Sequence, residues 1–187
     1  MKRFIAIIML AFLCIGAQAQ IVSSTSKLTI RHMDSYEYSG LELTASGVGF
    51  VGSGLWGGGT EFTLGYRFDQ GLFLGGQIGF GAGETDGLLK GRNPEGVWIP
   101  LRAVARYYFG TGRFQPYAQI NPGLFFLGGD GGEVVAFSLQ LGPGLCYGLN
   151  DKWSLDASIN YDFATAAKAE APSMGSAIKL GITYHFL

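Results

Sequence analysis

Along most of the chain, apolar and polar side chains alternate one for one. Trp153, Leu155, Ala157, Ile159, Tyr161 and Phe163 share one face, and Ser154, Asp156, Ser158, Asn160 and Asp162 share the other. A period of two sustained this long marks a β-strand with one apolar and one polar face. The pattern recurs upstream and downstream. Ile178, Leu180, Ile182, Tyr184 and Phe186 oppose Lys179, Gly181, Thr183 and His185. Phe137, Leu139, Leu141, Leu145 and Tyr147 oppose Ser138, Gln140, Gly142 and Cys146. Val97, Ile99, Leu101, Ala103, Ala105, Tyr107 and Phe109 oppose Arg102, Arg106 and Tyr108. Leu72, Leu74, Ile78 and Phe80 oppose Gly75, Gln77 and Gly79; Phe62, Leu64, Tyr66 and Phe68 oppose Glu61, Thr63 and Arg67. Leu41, Leu43 and Ala45 oppose Glu42, Thr44 and Ser46. Residues 114–126 are less regular, with Ala118, Ile120, Leu124 and Phe126 facing away from Gln119 and Asn121. The pattern predicts eight strands.

The connections alternate as well. Asp69-Gln70-Gly71, Thr111-Gly112-Arg113 and Asn150-Asp151-Lys152 read as short turns. Residues 52–59, 84–96, 128–133 and 164–174 read as longer connections. Long and short therefore alternate, as in up-and-down outer-membrane barrels with tight periplasmic turns and longer outer loops.

Ahead of the strands lies a different segment. Lys2 and Arg3 precede an apolar run over 4–15, and Ala17-Gln18-Ala19 follows. This is the order of a secretory signal peptide, with an apolar run too short to span a bilayer as a helix. Cleavage after residue 19 leaves 168 of the 187 residues and removes two cationic side chains, so 11 Lys and Arg face 14 Asp and Glu. Cys14 leaves with the signal, and Cys146 then has no internal disulfide partner. Residues 20–38 read as an N-terminal periplasmic segment. Within it, 27–31 alternates and either extends the first strand or forms a tail.

A soluble sandwich or lipocalin-like barrel would alternate too, with its apolar face inward. Composition decides between the two. Charged residues are 14% of the chain, against ~25–35% on a soluble surface. The apolar face is also tipped with aromatics. Tyr66, Phe68, Tyr107, Phe109, Tyr147, Trp153, Tyr184 and Phe186 lie beside the short turns, and Phe50, Phe80, Phe126 and Phe163 near the long connections. Two aromatic girdles around an aliphatic band are the membrane-barrel pattern. The expected fold is all-β: an eight-stranded antiparallel up-and-down transmembrane β-barrel over 39–187, after a cleaved signal peptide. Sixteen strands of ~10 residues would leave no chain for connections, so a wide pore is excluded. The near-neutral charge gives no basic footprint for nucleic acid.

The last strand reads Lys179-Leu180-Gly181-Ile182-Thr183-Tyr184-His185-Phe186. It resembles the C-terminal assembly signal of outer-membrane proteins, with Lys179, Gly181, Tyr184 and Phe186 at the specified positions and Leu187 one residue beyond. Trp98-Ile99-Pro100-Leu101-Arg102, Ala105-Arg106-Tyr107-Tyr108-Phe109 and Gln115-Pro116-Tyr117 resemble the outer-membrane β-barrel domain family, often labelled porin family. Over roughly 36–187 the chain is similar in architecture to OmpA and OmpX. The resemblance implies residence in the Gram-negative cell outer membrane, contact with its lipids and folding by the barrel assembly machinery. It implies no agreed biochemical activity.

With the polar face inward, the lumen receives Arg67, Arg102, Arg106 and Lys179 against Glu42, Glu61, Asp156 and Asp162, so the charges cancel. An eight-stranded interior is narrow enough for side chains to fill, and unpaired charges there are costly. Strand order suggests pairs between Glu42 and Arg67, Asp162 and Lys179, and Arg106 and Asp156. These residues predict a closed ionic plug, or alternatively a narrow porin-like path for ions or small solutes.

Other chemistry finds little support. Gly47-Val48-Gly49-Phe50-Val51-Gly52 spells G-x-G-x-x-G, but no helix follows to make a dinucleotide site. An outer-leaflet lipid-modifying enzyme would need a His with a Ser partner near the long connections. His32 precedes the barrel and His185 lies at the other end, while Ser24, Ser158 and Ser173 have no evident base. Glu84, Asp86, Asp130, Glu133 and Glu170 tilt the long connections acidic without metal-binding spacing. Trp56 and Trp98 are expected to anchor at the outer interface. No catalytic residues, cofactor or metal are expected. The expected role is structural or interactional, with the loops available to an extracellular ligand. A narrow channel is the second reading and lipid modification the third.

Overall fold

The computed structural model describes residues 38–53, 55–84, 95–129, 132–166 and 173–186. The expected signal peptide at 1–19, the segment up to residue 37 with its 27–31 stretch, Ser24 and His32, and the acidic residues Asp86, Asp130 and Glu170 lie outside the described residues.

Eight strands follow in chain order: β1 (Gly40–Ser53), β2 (Leu55–Arg67), β3 (Leu72–Glu84), β4 (Glu95–Tyr108), β5 (Phe114–Gly129), β6 (Gly132–Gly148), β7 (Trp153–Thr165) and β8 (Ser173–Phe186). Each pairs antiparallel with its neighbours, and β1 pairs with β8 from Leu41 opposite Phe186 to Ser53 opposite Met174. Closure leaves no open sheet edge, which is the condition for spanning lipid with strands.

The face assignment is decided by exposure. Leu180 is 66% exposed, Ile159 62% and Ile78 53%, whereas Glu61, Arg102 and Lys179 are each 3% exposed or less. The polar face is the interior. Beside the short turns the outward aromatics touch one another: Tyr66 with Phe68, Tyr107 with Phe109, Phe114 with Tyr147, and Tyr184 with both Trp153 and Phe186, at centroid separations of 4.7–5.1 Å. They form a girdle at that end.

The turns show why the chain reverses where it does. Gly71 adopts φ +79°, a left-handed conformation that a side chain disfavours, and a Cβ there would lie 2.9 Å from the Tyr108 carbonyl oxygen. At the β6–β7 turn, Asn150 Oδ1 accepts hydrogen bonds from the backbone N–H groups of Lys152 (2.9 Å) and Trp153 (3.0 Å).

Two connections differ from the sequence expectation. Residues 52–59 and 128–133 read as longer loops in the sequence, yet only residue 54 separates β1 from β2, and only 130–131 separate β5 from β6. Their glycines stay in the ladder: Gly57, Gly58 and Gly59 pair with Phe50, Gly49 and Val48 on one side and with Gly83, Ala82 and Gly81 on the other. Glycine reads as loop by propensity, but here it makes room. A Cβ at Gly57 would lie 2.6 Å from Trp98 Cη2.

That indole corrects a second expectation. Trp98 is 1% exposed and lies inside the barrel, not at the outer interface, and Phe50, expected in a girdle, is also buried inside. Trp98 shares the parity of Arg102 and Arg106 on β4, so the pleat turns it inward. Phe50 likewise shares the parity of Glu42 and Thr44. Phe80, Phe126 and Trp56 face outward.

Candidate functional site

The interior is the only part of the described barrel where charged and polar side chains converge in bulk, and it is layered. Consecutive inward positions on antiparallel strands set the layers, because every second residue enters the lumen two rungs further along.

At the short-turn end, Glu42 lies opposite His185 in the β1–β8 register. His185 Nδ1 sits 3.1 Å from Glu42 Oε1, and its Nε2 sits 2.9 Å from Ser154 Oγ. Arg67 Nη1 lies 3.5 Å from the same Glu42 oxygen, and Arg67 Nη2 donates to Gln115 Oε1 at 2.6 Å. The Tyr108 ring faces the guanidinium at 3.6 Å, a cation–π contact. Tyr38, just before β1, stacks on His185 at 3.7 Å and donates its hydroxyl to the Asn150 carbonyl at 2.7 Å.

One layer further in, Arg106 Nε donates to Gln119 Oε1 at 3.1 Å, and Arg106 Nη1 lies 3.6 Å from Asp156 Oδ2. Tyr117 donates its hydroxyl to Asp156 Oδ1 at 2.8 Å. Gln119 Nε2 continues the chain to Asn160 Oδ1 at 2.6 Å. Phe73, Val104 and Cys146 pack beside the two tyrosines.

The third layer is the most densely connected. Arg102 reaches Glu61 at 2.9 Å, Asp162 at 3.2 Å and Ser138 at 3.2 Å. Lys179 Nζ donates to Glu61 Oε2 and to Gln140 Oε1. Gln140 Nε2 donates to Asp162 Oδ2 at 2.6 Å, and Gln77 Nε2 to Glu61 Oε2 at 2.6 Å. Above it lies an apolar cap of Val48, Phe50, Trp98, Phe125, Leu127, Ala136 and Ala177. Phe50 meets the Trp98 ring edge-on at 5.7 Å.

All eight expected lumen charges therefore face inward. The structure brings Glu42 to Arg67 and Arg106 to Asp156. It does not join Asp162 to Lys179: Asp162 bonds Arg102 and Gln140, while Lys179 bonds Glu61 and Gln140. The register explains the exchange. Asp162 stands opposite Gly175 and Lys179 opposite Ser158, four residues apart along β8. Counting the carboxylates, arginines and lysine, each layer balances by itself: Arg67 with Glu42, Arg106 with Asp156, and Arg102 and Lys179 with Glu61 and Asp162. Balance by layer satisfies the charges locally, where a low-dielectric interior requires it.

Sequence reading missed Tyr117, Gln115, Phe125, Phe73 and the whole apolar cap. Parity was the available signal, since Gln115, Tyr117, Gln119, Asn121 and Phe125 all share one face of β5. The terminal-strand residues divide by the same rule. Lys179 enters the lumen, while Phe186 and Tyr184 join the outer girdle and Gly181 lies between Ser46 and Asp156. The G-x-G-x-x-G segment over 47–52 is part of β1. Ser158 accepts from Asn160 Nδ2 at 2.9 Å. Among the described residues, no group of three His, Cys, Asp or Glu side chains is placed to hold a metal ion.

The family model for the outer membrane protein beta-barrel domain matches residues 5–186. No curated protein sequence matches the chain. Among solved structures, the chain is similar to Neisserial surface protein A, with TM-score 0.60 and 18% identity over 79% of this chain and 97% of that one. It is similar to a major outer membrane protein of Thermus thermophilus, with TM-score 0.56 and 14% identity over 79% and 99%. It is also similar to the outer membrane protein OprG of Pseudomonas aeruginosa, with TM-score 0.53 and 15% identity over 82% and 99%.

Proposed function

Because the chain belongs to the outer membrane protein β-barrel domain family and is an integral protein of the outer membrane, we propose that its barrel is a closed anchor serving surface contact. In this reading the short turns face the periplasm and the ends of the β1–β2, β3–β4, β5–β6 and β7–β8 hairpins face outward, available to an extracellular ligand. The outward aliphatic face meets membrane lipids. The terminal strand, with Lys179, Gly181, Tyr184 and Phe186, is the segment offered to the barrel assembly machinery.

The observation that carries the closed lumen is the third layer under its cap. Arg102, Glu61, Lys179, Asp162 and Gln140 bond one another across the bore, and Trp98, Phe50 and Phe125 close over them. An ion crossing this section would have to displace buried charges from their partners, at several kcal/mol per ion. The test is single-channel recording on the refolded full-length protein in a planar bilayer. A flat baseline supports the closed barrel. Discrete conductance steps that change with Arg102→Ala or Arg106→Ala establish the narrow channel instead.

The same reading gives the chain no catalytic step. His185, the one described histidine, is held between Glu42 and Ser154 under Tyr38, at the end remote from the outer leaflet. Lipid A acyl patterns should match in cells with and without the protein; an added or missing acyl chain would restore the lipid-modifying reading.

A further inference from the structure

The outward wall of the barrel is not evenly filled. On β6, β7 and β8 a hollow of about 400 Å³ opens on that face around Ala157. Ala157 stands directly opposite Leu145 on one side and Leu180 on the other. Leu145, Ile159, Ile178 and Leu180 rise around it and are 39–66% exposed.

The sequence makes this hollow in two ways. On β7, alanine interrupts the bulky outward side chains between Leu155 and Ile159. On β6, Pro143 has no N–H to give to a ladder. Pairing between β6 and β7 stops at Leu141 opposite Tyr161 and resumes at Gly144 opposite Ser158. Pro143 and Gly144, which adds no side chain, both line the hollow.

An unfilled hollow in hydrocarbon forfeits the dispersion contacts of the groups that line it. The outward side chains here are all apolar, so the filler is apolar too. Width selects its shape. Leu145 and Leu180 lie one strand to either side of Ala157, about 10 Å apart backbone to backbone. Their side chains leave room for a single hydrocarbon chain, and the convex wall of a second barrel does not enter. Depth selects the leaflet. Ala157 and Leu180 lie four residues from Trp153 and Tyr184, which touch in the short-turn girdle. That distance is about 13 Å along a tilted strand, less than the ~15 Å half-thickness of the bilayer hydrocarbon. The hollow is therefore continuous with the outward aliphatic face and within reach of a lipid whose head group sits at that girdle. On the reading that the outward face meets lipid, we propose that this hollow seats one acyl chain of a phospholipid from the leaflet on the short-turn side. The lipid is held there in preference to the rest of the wall.

The test refolds the full-length barrel into phosphatidylcholine vesicles in which part of the lipid carries a photoactivatable diazirine in one acyl chain. Peptide mass spectrometry then locates the adducts. Labelling at Leu145, Ile159, Ile178 and Leu180 should exceed that at Ile99 and Leu101 on β4 about fivefold, the order given by roughly ten extra carbon contacts. Ala157→Leu fills the hollow and should abolish the excess, whereas Ala103→Leu on β4 should leave it unchanged. Both variants place leucine where neighbouring outward positions already carry bulky aliphatic groups, so both keep the fold. Even labelling around the barrel overturns the site and leaves the lipid-facing wall standing. An outward face without adducts overturns that wall as well. Adducts missing from β6–β8 alone would put a second barrel over the hollow and overturn the lipid assignment. Excess labelling that persists in Ala157→Leu overturns it by placing the chain elsewhere.

Discussion

Glu61 holds Arg102 through one carboxylate oxygen and Lys179 through the other. A single carboxylate from β2 thus ties β4 to β8 across the bore, and it is 1% exposed. Removing it leaves two buried cations short of a partner. Glu61→Ala should destabilise the barrel by about 3–5 kcal/mol, the usual cost of breaking a buried pair from one side. The double variant Glu61→Gln/Lys179→Met should recover much of that loss, because one anion and one cation leave together. Urea unfolding in lipid vesicles checks both. Equal losses for the single and double variants would show that the bridge is not the source of the cost.

The cap depends on glycine. A Cβ at Gly57 would lie 2.6 Å from Trp98 Cη2, and one at Gly81 would lie 2.5 Å from Trp98 Nε1. Gly81→Ala should therefore cost about 1–3 kcal/mol by overpacking. In a Trp98→Phe background, with the smaller ring, the same substitution should cost less. A double-mutant cycle on unfolding free energies measures the coupling, and additive effects would mean that Gly81 does not make room for the indole.

Leu180 and Lys179 are neighbours in sequence with opposite environments, one 66% exposed and the other 3%. Leu180→Arg places a charge in lipid and should cost about 2–4 kcal/mol near the midplane. Leu180→Ile should be nearly neutral. Folding yields and unfolding midpoints in vesicles compare the two, and a tolerated arginine would contradict the lipid-facing assignment.

The alternation of residues such as Leu155 and Asp156 carried the strand count and the inward face, because a pleated strand can satisfy only one sidedness when charges are scarce. Strand ends were less legible. Gly52 and Gly57 look like loop by propensity, yet both stay in the ladder, where a Cβ on Gly57 would meet Trp98 and one on Gly52 would meet the backbone of Met174 and Gly175. Large aromatics were also misplaced when sorted by hydrophobicity. Trp98 and Phe50 fill the bore because their parity, not their chemistry, sets the direction in which they point. The partner of Lys179 depends on register, which alternation alone does not fix: it stands opposite Ser158, and Asp162 opposite Gly175.

Tyr38 separates stacking from hydrogen bonding at the short-turn mouth. Its ring lies 3.7 Å from His185 with an interplanar angle of 8°, and its hydroxyl donates to the Asn150 carbonyl in the β6–β7 turn. Tyr38→Phe keeps the ring and loses the bond, so it should cost about 0.5–1.5 kcal/mol. Tyr38→Ala loses both and uncovers His185, so it should cost about 3 kcal/mol or more. The two variants should also differ in amide hydrogen exchange. With phenylalanine, protection at Leu149 and Asn150 should fall while the His185 amide, which donates to the Lys152 carbonyl, stays protected. With alanine, protection should fall at all three. Equal unfolding midpoints for the two variants would show that the stack contributes nothing and that the hydroxyl alone secures this end of the barrel.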